Sequence, residues 1–554
     1  MIENKYIRAY LEIVRCGLTE VCQEQVLLAD LIEDTFATED LTVDEVQLEK
    51  YMQLQQHFPY KLLPWESFLF ALHNCVYTAE GDLRWPVLMI VVGRGAGKNG
   101  YLAYEDFALI TPINGVQNYD IDIFATAEDQ AKATFEDIYA ILESRPDYYA
   151  RYYEWTKEVI RNKKTNSRIR FHTSSARTKD GGRPGKVDFD EVHAYVNNAL
   201  IDVAVTGLGK KDHPRQTYIT TMGDVRDGPL DKMMETALKV LRREIPDDGW
   251  LYFVCRLDSD EEIMDPSKWG KANPSLYDPN RRSLLQQIRL EFAKYKQDPA
   301  ANRAFATKRM NRPSGDKEFE VTSWENILAA SRELPPKSEL VGRPAVAGLD
   351  YASTQDFVAA GILFLLDDRY VWLTHSWVCT QSVSLPRINF PLQEAEARGE
   401  LTMVDLKEIP PEMPVQWIWE MAQEYQVLMV GIDNYRHTLM RKAFAEKGFE
   451  ADRKDGNIKL VYSPEQSKVA PLISSAFLNH KIIWGDSMLM RWYTNNAIRI
   501  LDKKGNITFG KIEPKSRKTD GFMALVAAIV VAELRRDDLI YSNMGNDLPE
   551  VFVF

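Results

Sequence analysis

The sequence predicts an α/β protein with two main domains, each built on a β-sheet with helices packed against it. Up to about residue 260, strand and helix candidates alternate, which is typical of a parallel sheet covered by helices. After residue 344, consecutive strand candidates follow one another before the next helix, which indicates a partly antiparallel sheet. The length of 554 residues is enough for two or three domains with substantial cores.

Composition excludes several classes of protein. Hydrophobic residues at 45% and charged residues at 27% are ordinary for a soluble globular chain. A net charge of −13 argues against a protein that coats nucleic acid with its whole surface, although local basic patches remain possible. The 5 scattered cysteines fit a reducing compartment. The N-terminus lacks a signal-peptide core and the longest apolar run, 522–532, is too short to span a bilayer, so we expect a cytoplasmic protein with no membrane segment.

The chain begins with a predicted helical N-terminal arm, residues 1–55, because helical periodicity and many charges extend from about residue 6 to 54 without a strand pattern. The next segment, 57–70, is an apolar and aromatic loop that contains Pro59 and Pro64 and leads into a helix. Two interpretations stay open. The loop either holds the base of a nucleotide bound nearby or packs as a hydrophobic staple at the helix entry.

A glycine-rich loop, GRGAGKNG at 93–100, directly follows an apolar strand candidate. Glycines let backbone N–H groups turn toward an anion, the following helix start adds a positive dipole end, and a lysine reaches the terminal phosphates. The pattern predicts a nucleoside triphosphate with Mg²⁺, bound by Gly93, Arg94, Gly95, Gly97, Lys98 and Asn99. The strict pattern has Gly in place of Val92 and Ser or Thr in place of Asn99, whose carbonyl oxygen offers Mg²⁺ another hard ligand.

The strand candidate VDFDEVH at 187–193 supplies the acids that such a site needs. We expect Asp190 to hold the hydrated metal and Glu191 to orient and deprotonate the attacking water. The strand is interrupted by Asp188, and alone the motif also fits a surface acidic cluster. Downstream, 216–224 predicts another strand, whose Thr220 and Thr221 either sense the γ-phosphate or are ordinary strand residues. Together these motifs predict a P-loop (RecA/ASCE-like) ATPase domain with a parallel-rich sheet over 56–312.

A linker is predicted at 313–343, where prolines punctuate the sequence. Beyond it, strand candidates are found at 345–350, 357–366, 369–378 and 427–433. Successive strands joined by short turns, followed by helices and a strand that returns beside the first, match the ribonuclease H-like arrangement. We therefore expect a ribonuclease H-like domain at 344–540 and a C-terminal tail at 541–554.

Aspartates stand at corresponding points of this predicted fold. Asp350 ends the first strand, Asp433 ends the fourth, and Asp520 opens an apolar helix. Carboxylates gathered at one sheet edge repel one another unless divalent cations lie among them, and two such ions can hydrolyse a phosphodiester. The sequence predicts a nuclease with two divalent cations, Mg²⁺ or Mn²⁺, at this edge. Alternatively, Asp433 and Asp520 cap helices and Asp350 starts a turn. Asp356 is a further candidate ligand, although an ordinary loop aspartate is the favoured interpretation.

Basic residues cluster at 503–518 beside Asp520, where a charged β-hairpin would hold a phosphate backbone without reading bases. A second basic run occupies 161–170. It fits either DNA contact or a solvated face.

Taken together, these motifs resemble the large subunit of a tailed-bacteriophage terminase over roughly residues 20–535. The segments that carry the resemblance are LLPWE at 62–66, GRGAGKNG at 93–100, DFDEVH at 188–193, GLDYASTQD at 348–356 and KSRKTDGFMAL at 515–525. The family implies an ATP-driven motor that pumps double-stranded DNA into a procapsid and cuts concatemers with its nuclease domain. Implied partners are the portal protein, the terminase small subunit and further copies in a ring, all within the bacterial host cytoplasm.

The same resemblance implies site roles. Lys98 holds phosphates, Asp190 the metal and Glu191 the hydrolytic water, whereas Arg94 aids hydrolysis or couples it to movement. Asp350, Asp433 and Asp520 become the nuclease metal ligands. Arginines that act in trans are candidates at 177 and 183. Two other functions remain alternatives: a DExH-type helicase, because of the DEVH sequence, and a structural docking component switched by nucleotide.

Overall fold

A computed structural model describes residues 2–17, 19–173, 182–223, 226–299, 302–312, 320–351, 357–388, 390–433, 437–450, 456–501, 507–511 and 517–544. The chain divides into two compact units, Met1–Ser314 and Gly315–Phe554. Each unit has its own hydrophobic cores, in keeping with the size of the chain.

The first unit contains helices and strands in alternation. Its helices are α1 (Lys5–Cys16), α2 (Gln23–Thr38), α3 (Glu45–Gln53), α4 (Pro64–Cys75), α5 (Lys98–Leu109), α6 (Glu128–Ser144), α7 (Pro146–Tyr149), α8 (Ala199–Val205), α9 (Pro229–Leu241) and α10 (Arg282–Gln297). Its strands are β1 (Thr42–Val43), β2 (Val76–Tyr77), β3 (Val87–Val91), β4 (Ile121–Ala125), β5 (Tyr153–Trp155), β6 (Val159–Asn162), β7 (Arg168–Thr173), β8 (Lys186–Asp190), β9 (Arg215–Thr220) and β10 (Trp250–Val254). A single turn of π-helix covers Phe305–Arg309.

The main sheet of this unit has the strand order β10-β3-β9-β8-β4-β7-β6-β5. Strands β10 to β7 run parallel, whereas β6 and β5 add an antiparallel edge. Every residue of β3 is buried, as expected for a central parallel strand covered on both faces. The carboxyl ends of β3, β8 and β9 therefore share one edge of the sheet, and the amino ends of β4 and β7 lie at the other.

The N-terminal helices belong to the core of this unit. Ile7 and Tyr10 of α1 are buried, and Tyr10 packs against Phe68 of α4 with ring centroids 4.7 Å apart. Helices are present before residue 55, as the sequence predicts. The prediction that this region contains no strand is wrong, because β1 pairs antiparallel with β2. Strand β1 has only 2 residues, which is too short to show an alternating pattern in the sequence, and it is defined by its pairing with β2.

The second unit has its own set of elements. Its helices are α11 (Trp324–Ala329), α12 (Lys337–Leu340), α13 (Leu392–Ala397), α14 (Glu412–Glu424), α15 (His437–Glu446), α16 (Ser463–Leu478), α17 (Met488–Asn495), α18 (Asp520–Leu534) and α19 (Arg536–Met544). Its strands are β11 (Pro344–Asp350), β12 (Phe357–Leu366), β13 (Arg369–Cys379), β14 (Leu401–Val404), β15 (Gln426–Asp433), β16 (Ile458–Val461), β17 (Ile482–Ile483), β18 (Ala497–Leu501) and β19 (Ile507–Lys511).

The sheet of the second unit has the order β14-β13-β12-β11-β15-β16, with β17 beside β13. Strands β11, β12 and β13 form the predicted antiparallel meander, and β15 returns parallel to β11. Strand β14 and the short β16 and β17 were not anticipated, because their sequences are too brief to display a period. The segment predicted as linker contains α11 and α12, and Ile327 of α11 is buried in the core of the second unit.

Helix α18 packs directly on this sheet at two glycines. A Cβ atom at Gly348 of β11 would lie 2.0 Å from the carbonyl oxygen of Ala524, and one at Gly431 of β15 would lie 2.4 Å from that of Ala527. Because these two glycines have no side chain, the helix backbone can approach the strands closely. Helix α18 is apolar on all sides, as expected for a buried helix. Within the described ranges, no helix combines the length and apolar character that crossing a bilayer requires.

Candidate active sites

The glycine-rich loop connects β3 to α5 at the carboxyl edge of the first sheet. Gly95 and Gly97 have φ angles of +85° and +111°, which residues with a side chain rarely adopt. Gly97 is the N-cap of α5. Val92 is fully buried and its N–H donates to the Thr220 carbonyl oxygen over 3.2 Å. Valine therefore suits this position, because it extends the buried strand.

Hydrogen bonds from two segments that are distant in sequence hold the glycine-rich loop in place. The N–H of Gly93 donates to the Ala272 carbonyl at 2.8 Å, and that of Arg94 donates to the Lys308 carbonyl at 2.7 Å. A Cβ atom at Gly93 would lie 2.5 Å from the Arg309 carbonyl oxygen, so this approach requires glycine. The π-helical turn that contains Lys308 and Arg309 has no sequence signal, and such turns are frequent at functional sites.

Asp190 and Asn99 meet beside the loop. Nδ2 of Asn99 donates to Oδ2 of Asp190 at 2.7 Å, while Oδ1 of Asn99 accepts from Nζ of Lys98 at 3.1 Å. Burial raises the pKa of Asp190, although Lys98 and Asn99 oppose this effect. The oxygens of Asp190 and Asn99 are hard ligands of the kind that Mg²⁺ takes, so this pair fits a hydrated Mg²⁺ ion.

Glu191 lies at the end of the same strand in a left-handed conformation, with φ +51° and ψ +49°. Its N–H donates to Oδ1 of Asp190 at 2.7 Å, and its Oε1 lies 2.8 Å from Nζ of Lys98. Burial acts to raise the pKa of Glu191, but the nearby His193 and the charge of Lys98 outweigh it and lower the pKa to about 2. A strained backbone that is fixed by its surroundings is typical of catalytic positions.

His193 was not anticipated as a site residue, although it is the last letter of DEVH. Its Nδ1 lies 3.1 Å from Oε2 of Glu191 and 3.1 Å from Oγ1 of Thr220. The His193 N–H also donates to Oγ1 of Thr220 at 3.0 Å, and the Thr220 hydroxyl donates to the Thr221 carbonyl. Thr220 thus connects β9 to the segment after β8. Gly223 provides the room, since a Cβ atom there would lie 2.6 Å from the Cβ of His193.

Asp188, which interrupts the strand pattern, has a buried partner. Nζ of Lys186 lies 3.0 Å from Glu105, 2.6 Å from Asp106 and 2.6 Å from Asp188, and none of these side chains is exposed. Burial raises the pKa of Asp188 well above its usual value. Burial also acts to raise the pKa of Glu105, but the charge of Lys186 outweighs it and the pKa of Glu105 falls to about 2. This cluster joins α5 to β8 directly beneath the Asp190–Glu191 pair.

The aromatic loop before the first core strand braces the glycine-rich loop. Trp65 is buried, stacks on Phe253 at 5.4 Å and donates through Nε1 to Oγ of Ser275, which in turn donates to the Ala96 carbonyl. At the start of α4, Glu66 accepts from the Leu63 N–H at 2.7 Å, which is a contact of the helix entry.

The candidate arginines lie in different places. Arg94 is exposed on the glycine-rich loop, and Arg183 is exposed just before β8, at the amino edge of the sheet. Position 177 is outside the described residues, as is Asp356.

The second site lies at the carboxyl ends of β11 and β15. These strands are parallel neighbours with Leu349 opposite Ile432, so Asp350 and Asp433 follow at adjacent strand ends. Both aspartates line a cavity of about 180 Å³ together with Gln466, Lys511 and Thr519. The sequence-predicted pair is therefore brought together.

Asp520 is the first residue of α18 and is 1% exposed. Thr519 and Met523 on either side of it line the same cavity, whereas Asp520 itself is not part of its wall. In the parts of the chain that the structure describes, no set of three or more His, Cys, Asp or Glu side chains is grouped closely enough to hold an ion. The paired carboxylates of Asp350 and Asp433 are hard oxygen ligands that fit a divalent cation, and they are the part of the predicted set that lines the cavity.

Among the described residues, the basic run at 503–518 contributes one basic side chain to the lining of this cavity. A hairpin is present, but it pairs β18 with β19 and so begins before the predicted segment 503–518; its Lys511 lines the cavity. Arg517 donates to Oδ1 of Asn496 at 3.2 Å, and the buried Lys518 lies over the ring of Phe357 at 5.8 Å. Lys503, Lys504 and Lys515 of the same run lie outside the described residues.

Comparisons with known proteins agree on one family. A family model described as "Terminase large subunit, ATPase domain" matches residues 71–239, and one described as "Terminase large subunit, endonuclease domain" matches residues 244–535, more than half of the chain. The terminase large subunit of Lactococcus phage SK1 is 21% identical over 458 residues, which cover 80% of this chain and 82% of that protein.

Two further similarities are to a bacterial protein and to a solved phage structure. Protein YmfN of Escherichia coli (strain K12) is 23% identical over 372 residues, which cover 64% of this chain and 78% of that protein. The crystal structure of the HK97 bacteriophage large terminase aligns with 18% identity and a TM-score of 0.46, covering 89% of this chain and 100% of that one.

Proposed function

The chain belongs to the terminase large subunit family, and from this membership we propose how its residues share the two activities of a DNA-packaging enzyme, ATP hydrolysis and DNA cleavage. The observation that carries the proposal is the grouping of Lys98, Asn99, Asp190 and Glu191 at one sheet edge. In the second unit, Asp350 and Asp433 line a separate cavity. A helicase would need a second nucleotide-binding lobe where this chain has the endonuclease domain, which argues against the helicase alternative. A docking component that is only switched by nucleotide would need neither an ATPase domain nor an endonuclease domain.

In the first unit, Lys98 and the N-terminus of α5 hold the phosphates of ATP. A bound Mg²⁺ supplies charge neutralisation between the phosphates. Asp190 and Asn99 are the residues that would hold this ion. Glu191 accepts the proton of the attacking water when ATP displaces Lys98 from it, and the nearby His193 continues to lower its pKa and favour the ionised form. His193 keeps the carboxylate of Glu191 in place through its link to Thr220.

In the second unit, we assign Asp350 and Asp433 as ligands of a divalent cation. We propose that Asp520, which lies outside the cavity wall at the start of α18, joins them as a third ligand when the ion binds. Two ions at this edge would activate a water and stabilise the leaving oxygen of a phosphodiester. Lys511 lines the same cavity and is placed to contact the DNA backbone without reading its sequence.

The cargo of this activity is double-stranded DNA. We propose that the chain docks on the portal protein of a procapsid as a ring of copies, receives DNA from the terminase small subunit and acts in the cytoplasm of the bacterial host. In a ring, Arg177 or Arg183 of one copy serves the ATP site of its neighbour, whereas Arg94 acts at the glycine-rich loop of its own copy.

A packaging assay tests this proposal. Portal-containing procapsids are mixed with linear DNA, ATP and the protein, and DNA protected from added nuclease is measured. We expect protection with the wild type and with Asp433→Asn, since linear DNA needs no cut, but none with Glu191→Gln. Protection by Glu191→Gln, or failure of the wild type while it still hydrolyses ATP, would contradict the motor assignment.

A further inference from the structure

A second cavity of the first unit is not used by either activity. It has a volume of about 470 Å³ and lies between the end of α5, the α7 region and the turn that joins β6 to β7. Its aromatic lining consists of His57, Phe107, Tyr148, Tyr149, Tyr152 and Tyr153. The β6–β7 turn precedes β7, and α5 ends here, so the cavity lies at the amino edge of the sheet, opposite the glycine-rich loop.

Its aromatic rings fall into a rigid base and an exposed face. Tyr149 and Tyr153 are buried, and the hydroxyl of Tyr149 lies 3.1 Å from Nδ1 of His57. By contrast, Tyr148 is 44% exposed and Tyr152 is 51% exposed, with ring centroids 5.6 Å apart. Two neighbouring tyrosine rings are therefore exposed to solvent above a buried layer of aromatic side chains. An exposed group of aromatic side chains of this kind is typical of a binding surface.

Positive charge surrounds these rings. Arg151, Lys163 and Lys164 line the cavity and are exposed, and Nζ of Lys163 is fixed by donating to the Ala150 carbonyl at 2.7 Å. Over residues 145–170, the sequence has 8 Lys or Arg residues against 3 Asp or Glu residues. This local excess contrasts with the net charge of −13 for the whole chain.

We propose that this cavity binds unpaired bases of single-stranded DNA, such as the overhang at a cut DNA end. Flat ring faces stack on bases of any sequence, and adjacent cations hold the phosphates between them. A base inside a duplex already has both faces covered, so the tyrosines select for unpaired nucleotides. An acidic peptide would satisfy the cations, but it has no planar groups in sequence to cover both Tyr148 and Tyr152.

This inference rests on the proposed function only in taking DNA as the cargo. Its role would be to hold a DNA end at a place separate from both the ATP site and the nuclease cavity. A strand seated there contacts the face of the first unit that lies opposite bound ATP.

Binding is tested with the full chain in EDTA and without ATP, so that neither cleavage nor hydrolysis contributes. Fluorescence anisotropy compares a blunt duplex with the same duplex carrying a short overhang. We expect the wild type to prefer the overhang by about tenfold, the worth of one stacked base, and Tyr148→Ala/Tyr152→Ala to lose that preference. Tyr148→Phe/Tyr152→Phe, which keeps the ring faces, should retain it. Lys164→Ala should weaken binding of the overhang DNA more than that of the blunt duplex, because Lys164 lines the cavity that holds the unpaired strand.

A second measurement locates the contact. An overhang that contains 5-iododeoxyuridine should photocrosslink to Tyr148 or Tyr152 in the wild type. Equal binding of blunt and overhang DNA, an unchanged preference in the double alanine variant, or crosslinks confined to other parts of the chain would overturn the proposal, as would competition by an acidic peptide but not by single-stranded DNA. Normal ATP hydrolysis by the double variant shows that it is folded, and it separates this result from the fate of the packaging proposal.

Discussion

Nδ1 of His193 lies 3.1 Å from Oε2 of Glu191, in a segment where Glu191 itself has a left-handed backbone. Because Thr220 holds the backbone N–H of His193 at 3.0 Å, the position of the Glu191 carboxylate depends on β9 as well as on its own strand. The residue proposed as the general base of ATP hydrolysis is therefore positioned by His193, which Thr220 in turn holds.

Replacing His193 with alanine should lower the kcat of ATP hydrolysis by up to about 100-fold, as expected for a misplaced catalytic group, with a smaller change in KM. The acid limb of the pH profile should also move to higher pH. The sign follows from burial, which raises the pKa of Glu191 once the opposing effect of His193 is removed, so that protonation begins at a higher pH.

The control for this variant is His193→Asn, whose side-chain nitrogen can occupy the position of Nδ1. It should recover most of the activity and the wild-type pH profile. A profile for His193→Ala that coincides with the wild type would show that His193 does not act on Glu191.

Gly93→Ala should abolish tight nucleotide binding, with an affinity for ATP at least about tenfold weaker. Its Cβ would meet Oδ1 of Asn273 at 2.3 Å and the Arg309 carbonyl oxygen at 2.5 Å, so the loop has to shift. Titration with a fluorescent ATP analogue measures the effect. Gly182→Ala is the matched control, because its nearest atom lies at 3.7 Å and affinity should not change. Wild-type affinity in Gly93→Ala would mean that the loop tolerates displacement.

Lys186→Met should lower the free energy of unfolding of the first unit by about 3–5 kcal/mol, because it leaves buried carboxylates without their cation. Chemical denaturation provides the measurement. Lys239→Met, which removes only a surface pair with Glu235, should leave the free energy of unfolding nearly unchanged. If both variants lost the same small amount, the buried cluster would not stabilise the fold.

Sequence reasoning reached the elements with strong local signals. The glycine-rich loop, strand β8 with its two acids, the meander of β11 to β13 and the apolar α18 are present as expected, since each depends on a motif or a clear period. Features that depend on tertiary contacts were not accessible. Lys308, whose carbonyl receives the Arg94 N–H, is far from the loop in sequence, and nothing around it marks a partner.

The same distinction applies within the sites. Asp350 and Asp433 were placed together because parallel strand ends meet at one edge, which is a property of topology. Whether Asp520 joins them depends on the side-chain direction at the first turn of α18, which no sequence pattern specifies. His193 was overlooked because a histidine after an acidic pair carries no distinctive period, although the structure places it against Glu191.

We propose that one chain carries two separate metal-dependent hydrolytic sites. The most direct test measures ATP hydrolysis and plasmid nicking in parallel for the wild type, Glu191→Gln, Asp350→Asn and Asp433→Asn, with Mg²⁺ or Mn²⁺ and with EDTA. We predict that Glu191→Gln loses ATP hydrolysis by about 100- to 10,000-fold but still nicks DNA, whereas both aspartate variants lose nicking and still hydrolyse ATP. Nicking that survives in both aspartate variants, or in EDTA, would contradict the claim.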